Sequence, residues 1–254
     1  GLDISIPIQF NSDNNPKFYN EEDPVNKYYK SNGVEYNLKN GGGCNVPTIN
    51  MNIHCSVTHT ETASHVFQKS YLISDIKNLN YIPSQLVTII PDNNSKEKYH
   101  ANIEDKDLLI TKKLLENKID KSCGFIDGII VRTLPNNDDK KVRNYNRTHH
   151  AYFTTDSILF LKKLGVKHIV VDTPSIDKYD DGGKLQNHKI FFTNQEGKIN
   201  KNTITELCYI PNSCEDGKYL LSIGVPSFNL DAAPSKPTIY KAKKDNYEST
   251  NNNK

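Results

Sequence analysis

The chain has 254 residues, 35% of them apolar and 24% charged, with a formal charge of +2; it is long enough for one sizeable core and too apolar for a disordered segment. Its 32 Lys and Arg are interspersed with 30 Asp and Glu rather than gathered into a stripe, which argues against a nucleic-acid partner, and no apolar run approaches the ~20 residues of a membrane helix. Cys44, Cys55, Cys123, Cys208 and Cys214 are odd in number and include no CxxC pair, so a disulfide framework is not expected and a cytoplasmic location is.

Residues 3–8 (DISIPI) alternate strictly and predict a first strand with Ile4, Ile6 and Ile8 on one face. The polar stretch that follows, through the glycines at 41–43, reads as a long loop or lid. Ile49, Met51 and Ile53 then alternate with Asn50, Asn52 and His54, predicting a second strand that runs into a histidine-rich turn. Residues 86–90 (LVTII) predict a short strand, 107–117 (DLLITKKLLEN) carry leucines at helical spacing, and 126–132 (IDGIIVR) predict a third strand. Thr154 or Thr155 can cap a helix over 156–164, Gly165 ends it, and 167–172 (KHIVVD) has the β-branched run of a buried strand. Strand, helix, strand in that order is a parallel crossover unit. Further strands are expected at 189–193, 203–210 and 218–224, so that one domain covers 1–240 and a frayed, charged tail covers 241–254.

Residues 54–65 read HCSVTHTETASH and bring three imidazoles, a thiol and a carboxylate within twelve positions. Imidazole nitrogen and carboxylate oxygen suit Zn or Mn. In an extended chain His59 and Glu61 point to one side, as two ligands of one ion must. Cys55 shares their parity and His54 does not: either Cys55 is the third ligand, or a bulge between 55 and 57 turns His54 onto the metal face. A lone histidine is most often just a hydrogen-bonded polar group, but this cluster has no obvious packing purpose. Asp172, Ser175 and Asp177 follow a predicted parallel strand, where they would either orient a metal-bound histidine or hold a turn. Arg132 and Asp231 read as structural ion-pair candidates.

With these residues the chain resembles the kynurenine formamidase and cyclase-like metal-dependent hydrolases, a family that includes isatin hydrolase. The family signature, His-x-Gly-Thr-His-x-Asp followed by a Pro and a further His, is matched in its second half by Thr58, His59, Thr60, Glu61 and His65. A subgroup form, His-x-Asn-Gly-Thr-His-Thr-Glu, is closer and favours His54 over Cys55. DISIPI, the strand ending Val131-Arg132-Thr133, VDTPSID at 171–177 and DAAPSKP at 231–237 extend the resemblance over roughly residues 3–240.

The resemblance implies an α/β fold of the swivelling β/β/α type, a single domain with a mixed sheet, and a homodimer. It also implies a divalent metal, Zn or Mn, and hydrolysis of a cyclic amide (lactam) or an N-acyl, notably formyl, amide by metal-activated water. Carried over residue by residue, His54, His59 and Glu61 hold the first ion, Glu61 can bridge to a second, His188 and Glu206 match the later ligands, and His65 matches the catalytic histidine. Three departures stand out: Glu61 is one methylene longer than Asp, Val57 replaces the motif's Gly, and His54 lies one residue further from His59. They leave open a non-catalytic relative that binds a metal or small molecule, while a lactone or ester hydrolase could use the same site.

Overall fold

The computed structural model describes residues 1–19, 21–146 and 149–242. Nine strands form one mixed sheet: β1 (Leu2–Asp3), β2 (His59–Glu61), β3 (Ile82–Ile89), β4 (Gly128–Thr133), β5 (His168–Val171), β6 (Thr203–Glu206), β7 (Gly217–Gly224), β8 (Ala232–Pro234) and β9 (Lys236–Lys241). Their order across the sheet is β1-β9-β7-β3-β4-β5-β6-β2-β8. The central β3, β4, β5 and β6 are parallel, and the pairings on either side are antiparallel.

The α-helices are α1 (Ile53–Ser56), α2 (Lys112–Lys118), α3 (Thr155–Lys163) and α4 (Gln186–Phe191). The middle parallel strands β4 and β5 carry apolar side chains on both faces, as strands covered on two sides do. Ile129, Val131, Ile169 and Val171 face a layer holding Leu115, Ile158, Leu161 and Phe191 of the last three helices. Ile130 and Val170 face the other way, toward Ile4, Ile210, Leu221 and Ile239. Each such side chain, taken fully from water, contributes about 1.5–3 kcal/mol. The result is the single α/β domain with a mixed sheet that the sequence leads one to expect, and no helix among the described residues is long and apolar enough to cross a membrane.

Several elements differ locally from expectation. The strand read over 3–8 shrinks to β1 because the Asp3 carboxylate accepts from the Ser5 amide, 2.9 Å, and Ile6 N donates to Thr58 Oγ1, 2.9 Å. Ile4 and Ile6 are buried all the same. Residues 47–50 pair with 25–28 as a small two-stranded antiparallel sheet, and the predicted run through His54 stops at Asn50. In 107–117 only the second half is helical: Leu109 and Ile110 pair with Tyr152 and Phe153, and Thr111 caps α2 by accepting from Leu114 N. The strand expected at 189–193 is the helix α4 instead, because the Asp177 carboxylate accepts from the Asn187 and His188 amides at its first turn. Of the expected tail, Lys241 closes β9 and Ala242 N donates to Lys218 O; residues 243–254 lie outside the described residues.

Candidate metal centre

The choice between His54 and Cys55 is made by one turn of helix. Asn52 accepts from His54 N and Cys55 N and so starts α1 where an extended chain or a bulge was expected. Helical rather than alternating geometry brings the His54 ring within 4.9 Å of His59 and 4.2 Å of His65, centroid to centroid. Cys55 turns away into an apolar cluster with Phe18, Tyr145 and Leu207, where burial pushes its thiol up to about 12. The extra residue between His54 and His59 is absorbed in this turn. Val57 ends it with φ −140° and ψ 154°, extended backbone open to any residue, so no glycine is needed. Its carbonyl accepts from His59 Nδ1 at 3.0 Å, leaving Nε2 of that ring facing the centre.

His59 and Glu61 share a face of β2, and the antiparallel register sets Glu206 of β6 opposite His59. From α4, His188 Nε2 reaches to 3.0 Å from Glu61 Oε1 and 3.5 Å from Glu206 Oε1. His59 Nε2 stands 3.6 Å from Glu206 Oε2. The second oxygen of Glu61 faces another pair: Oε2 is 3.3 Å from His54 Nδ1 and 3.7 Å from His65 Nε2. Two groups of three, His54 with Glu61 and His65, and His59 with Glu61 and Glu206, each have their donor atoms within 4.8 Å of one another. All six residues named from the sequence therefore converge around Glu61.

Glu61 is 0% exposed, yet neither of its carboxylate oxygens, nor His59 Nε2, has a hydrogen-bond partner. A carboxylate buried without hydrogen bonds is strongly unfavourable unless a cation compensates it. The donors lie 3.0–3.7 Å apart without hydrogen-bond geometry. Two atoms each ~2.1 Å from one ion, at right or tetrahedral angles, stand roughly 3.0–3.4 Å apart. The residues fit a divalent cation. Electrostatics agree: burial opposes charge on His54, but Asp231 and Glu61 outweigh it and raise its pKa to about 10. Burial likewise opposes charge on His188, but Glu61, Asp177 and Glu206 hold its pKa well above the usual value. Positive charge is drawn to this point.

Of the loop residues after β5, Asp177 supports His188, and the Ile176 amide donates to Glu206 Oε1 at 2.9 Å. Asp177 Oδ2 accepts from His188 Nδ1 at 2.7 Å, and Tyr99 donates to Oδ1 at 2.8 Å. Ser175 accepts from the Asp177 amide, whereas Asp172 accepts from Thr133 and from buried Lys140. Arg132 is structural, donating to Thr88 and the Pro211 carbonyl. Asp231 pairs with the centre itself: its Oδ2 lies 2.9 Å from His54 Nε2 and 3.2 Å from His65 Nδ1. It stands 177 positions from His54, and no spacing rule reaches that far.

Several solved structures share this architecture. One is a potential metal-dependent hydrolase with cyclase activity, at 17% identity and TM-score 0.63, with 95% of this chain and 98% of the other covered. A second is isatin hydrolase A from Labrenzia aggregata bound to benzyl benzoate, at 12% identity and TM-score 0.63, covering 94% and 92%. A third is an isatin hydrolase bound to the product analogue thioisatinate, at 11% identity and TM-score 0.60, covering 95% and 92%. At these identities the likeness shows the fold. Among curated proteins none matches the sequence. The profile of the Cyclase family, described as "Putative cyclase", matches residues 2–178, a span that holds β1 to β5, α1 and four of the six converging residues, and so the chain belongs to the Cyclase family.

Proposed function

We propose that the protein is a metal-dependent hydrolase acting on a cyclic amide or an N-acyl, notably formyl, amide. The observation that carries this reading is Glu61, a buried carboxylate with one oxygen facing the imidazoles of His54 and His65 and the other facing His188, which neighbours Glu206. His54, His59, Glu61, His188 and Glu206 would hold the metal, Zn or Mn on the strength of a nitrogen-rich donor set. A divalent ion held there supplies an acidified water near neutral pH and a positive charge for the developing oxyanion of a carbonyl under attack. Amide hydrolysis also needs a group to carry a proton to the leaving nitrogen. His65 suits that task, because its Nε2 is 3.7 Å from Glu61 while its side chain keeps 23% exposure.

Structures named as a metal-dependent hydrolase with cyclase activity and as isatin hydrolase support the same class. Val57 and the displaced His54, which favoured a binding-only relative, are accommodated by α1 without loss of convergence. The five cysteines are free, which suits a cytoplasmic protein. A homodimer is part of the proposal: Tyr29, Val34, Leu38, Val46 and Ile49 are all exposed along residues 29–49, more apolar surface than an isolated arm covers.

Elemental analysis of protein purified without a metal-affinity step, followed by assays on formyl amines and lactams before and after chelation, tests the reading. About one or two equivalents of Zn or Mn and chelator-sensitive amide hydrolysis are expected. Turnover of lactones alone would select the ester alternative, bound metal without turnover the binding-only one, and full activity in metal-free protein would sink the proposal.

A further inference from the structure

The Asp231 carboxylate lies behind two histidines that face Glu61 from opposite ring positions. His54 presents Nδ1 to Glu61 Oε2 and turns Nε2 to Asp231 Oδ2, 2.9 Å away. His65 does the reverse, presenting Nε2 to Glu61 Oε2 and turning Nδ1 to the same Asp231 oxygen, 3.2 Å away. In the neutral form that a bound cation would require, an imidazole carries one N–H, and whichever nitrogen donates it leaves the other as a bare donor atom. A carboxylate that accepts from Nε2 of one ring and Nδ1 of the other therefore selects opposite tautomers and aims both lone pairs at one point. The rings stack at 4.2 Å with 27° between their planes, both turned to one acceptor oxygen.

The Asp231 main chain is itself held in place by Thr62. Thr62 N donates to the Asp231 carbonyl at 2.9 Å and Thr62 Oγ1 to the same oxygen at 3.0 Å, immediately after Glu61 and before the turn that carries His65. One residue further on, Ala232 pairs with Glu61 across β8 and β2. Asp231 thus ties the strand bearing Glu61, the helix bearing His54 and the turn bearing His65 to one anchor.

We infer that Asp231 is the positioning residue of the outer half of the centre: it fixes the tautomers of His54 and His65 so that both His54 Nδ1 and His65 Nε2 are bare on the side of Glu61 Oε2, where His54 Nδ1 would hold a cation and His65 Nε2 would take up or release the proton. His59 and His188 do not depend on it, since their rings are oriented by Val57 and Asp177, and neither does Glu206, whose carboxylate accepts from Ile176 N. The inference rests on the metal reading above, and its test separates the two.

The experiment compares wild type with Asp231→Asn and Asp231→Ala, using Zn(II) in competition with a chromophoric chelator, and nitrogen-15 NMR of the histidine rings with and without Zn(II). In wild type, loaded protein should show metal at His54 Nδ1 and a proton on Nε2, and metal-free protein should show slowly exchanging ring protons on His54 Nε2 and His65 Nδ1. Asp231→Ala should lose these protons and weaken the outer Zn(II) equivalent about 10–100-fold, with the inner equivalent retained. Asp231→Asn keeps an acceptor oxygen and the shape of the loop, and should fall in between. Unchanged affinity and ring protons in both variants would overturn the inference. Failure of wild type to bind Zn(II) would overturn the metal reading instead, and the ring protons of metal-free protein would still decide the role of Asp231.

Discussion

At the scale of single residues, the chemistry depends on which face of a short segment each donor occupies. His59→Ala or Glu61→Ala should lose metal and all hydrolysis, because each removes an atom from a buried set that has no spare partner; metal content by elemental analysis checks it. Cys55→Ala should keep metal and turnover, since its thiol packs with Phe18 and Leu207 rather than with the histidines. His65→Ala should keep stoichiometric metal and lose about 100-fold or more in turnover, the usual share of a positioned acid or base. If metal content fell as well, His65 would be a ligand rather than the proton carrier.

At the scale of elements, small features hold the donors in register. Gly128 opens β4 where an added Cβ would collide with Ser84 Oγ of β3. Gly128→Ala should therefore cost about 1–3 kcal/mol, read by chemical denaturation, and Ser84→Ala in the same chain should recover part of the loss. Asn52→Ala removes the cap of α1 and should cost about 1 kcal/mol; because α1 carries His54, it should also weaken metal binding, read in the same chelator competition. Period-two and period-3.6 patterns made β3 to β7 and α3 legible from sequence. They failed at 189–193, where an apolar run looks like a strand but the Asp177 carboxylate, from the preceding loop, caps a helix.

For the whole molecule, pH and metal act on global stability in ways that can be separated. Burial lowers the pKa of both His150 and His168 to about 4, against ~6.5 in an unfolded chain. Between these values the unfolded state binds protons that the folded state refuses, so stability is full above ~6.5 and falls as pH drops toward 4. Metal-free protein should show a falling Tm over that window, with a shallower slope in His168→Asn; equal slopes would remove His168 from the account. Chelation at pH 7 should lower Tm by an amount that grows with metal affinity, because an ion bound only by the folded state stabilises it. Replacing exposed Val34 and Leu38 by Ser should shift a dimer toward monomer in sedimentation, the outcome expected if the arm at 29–49 covers its apolar side chains against a second copy.

The sequence by itself determined the donor types, the shared face of His59 and Glu61, and the parallel β-branched strands, because residue identity and local period are properties of short stretches of chain. Six donors read from sequence do gather around Glu61. Tertiary structure decided the rest. Whether His54 or Cys55 faces the centre turned on a cap at Asn52 that converts alternation into one helical turn. The helix under His188 turned on Asp177, a carboxylate beyond the reach of a helical period, and the support behind His54 and His65 on Asp231, brought in from far along the chain. Such partners satisfy buried polar atoms across the fold, and no pattern confined to neighbouring residues encodes which distant group arrives.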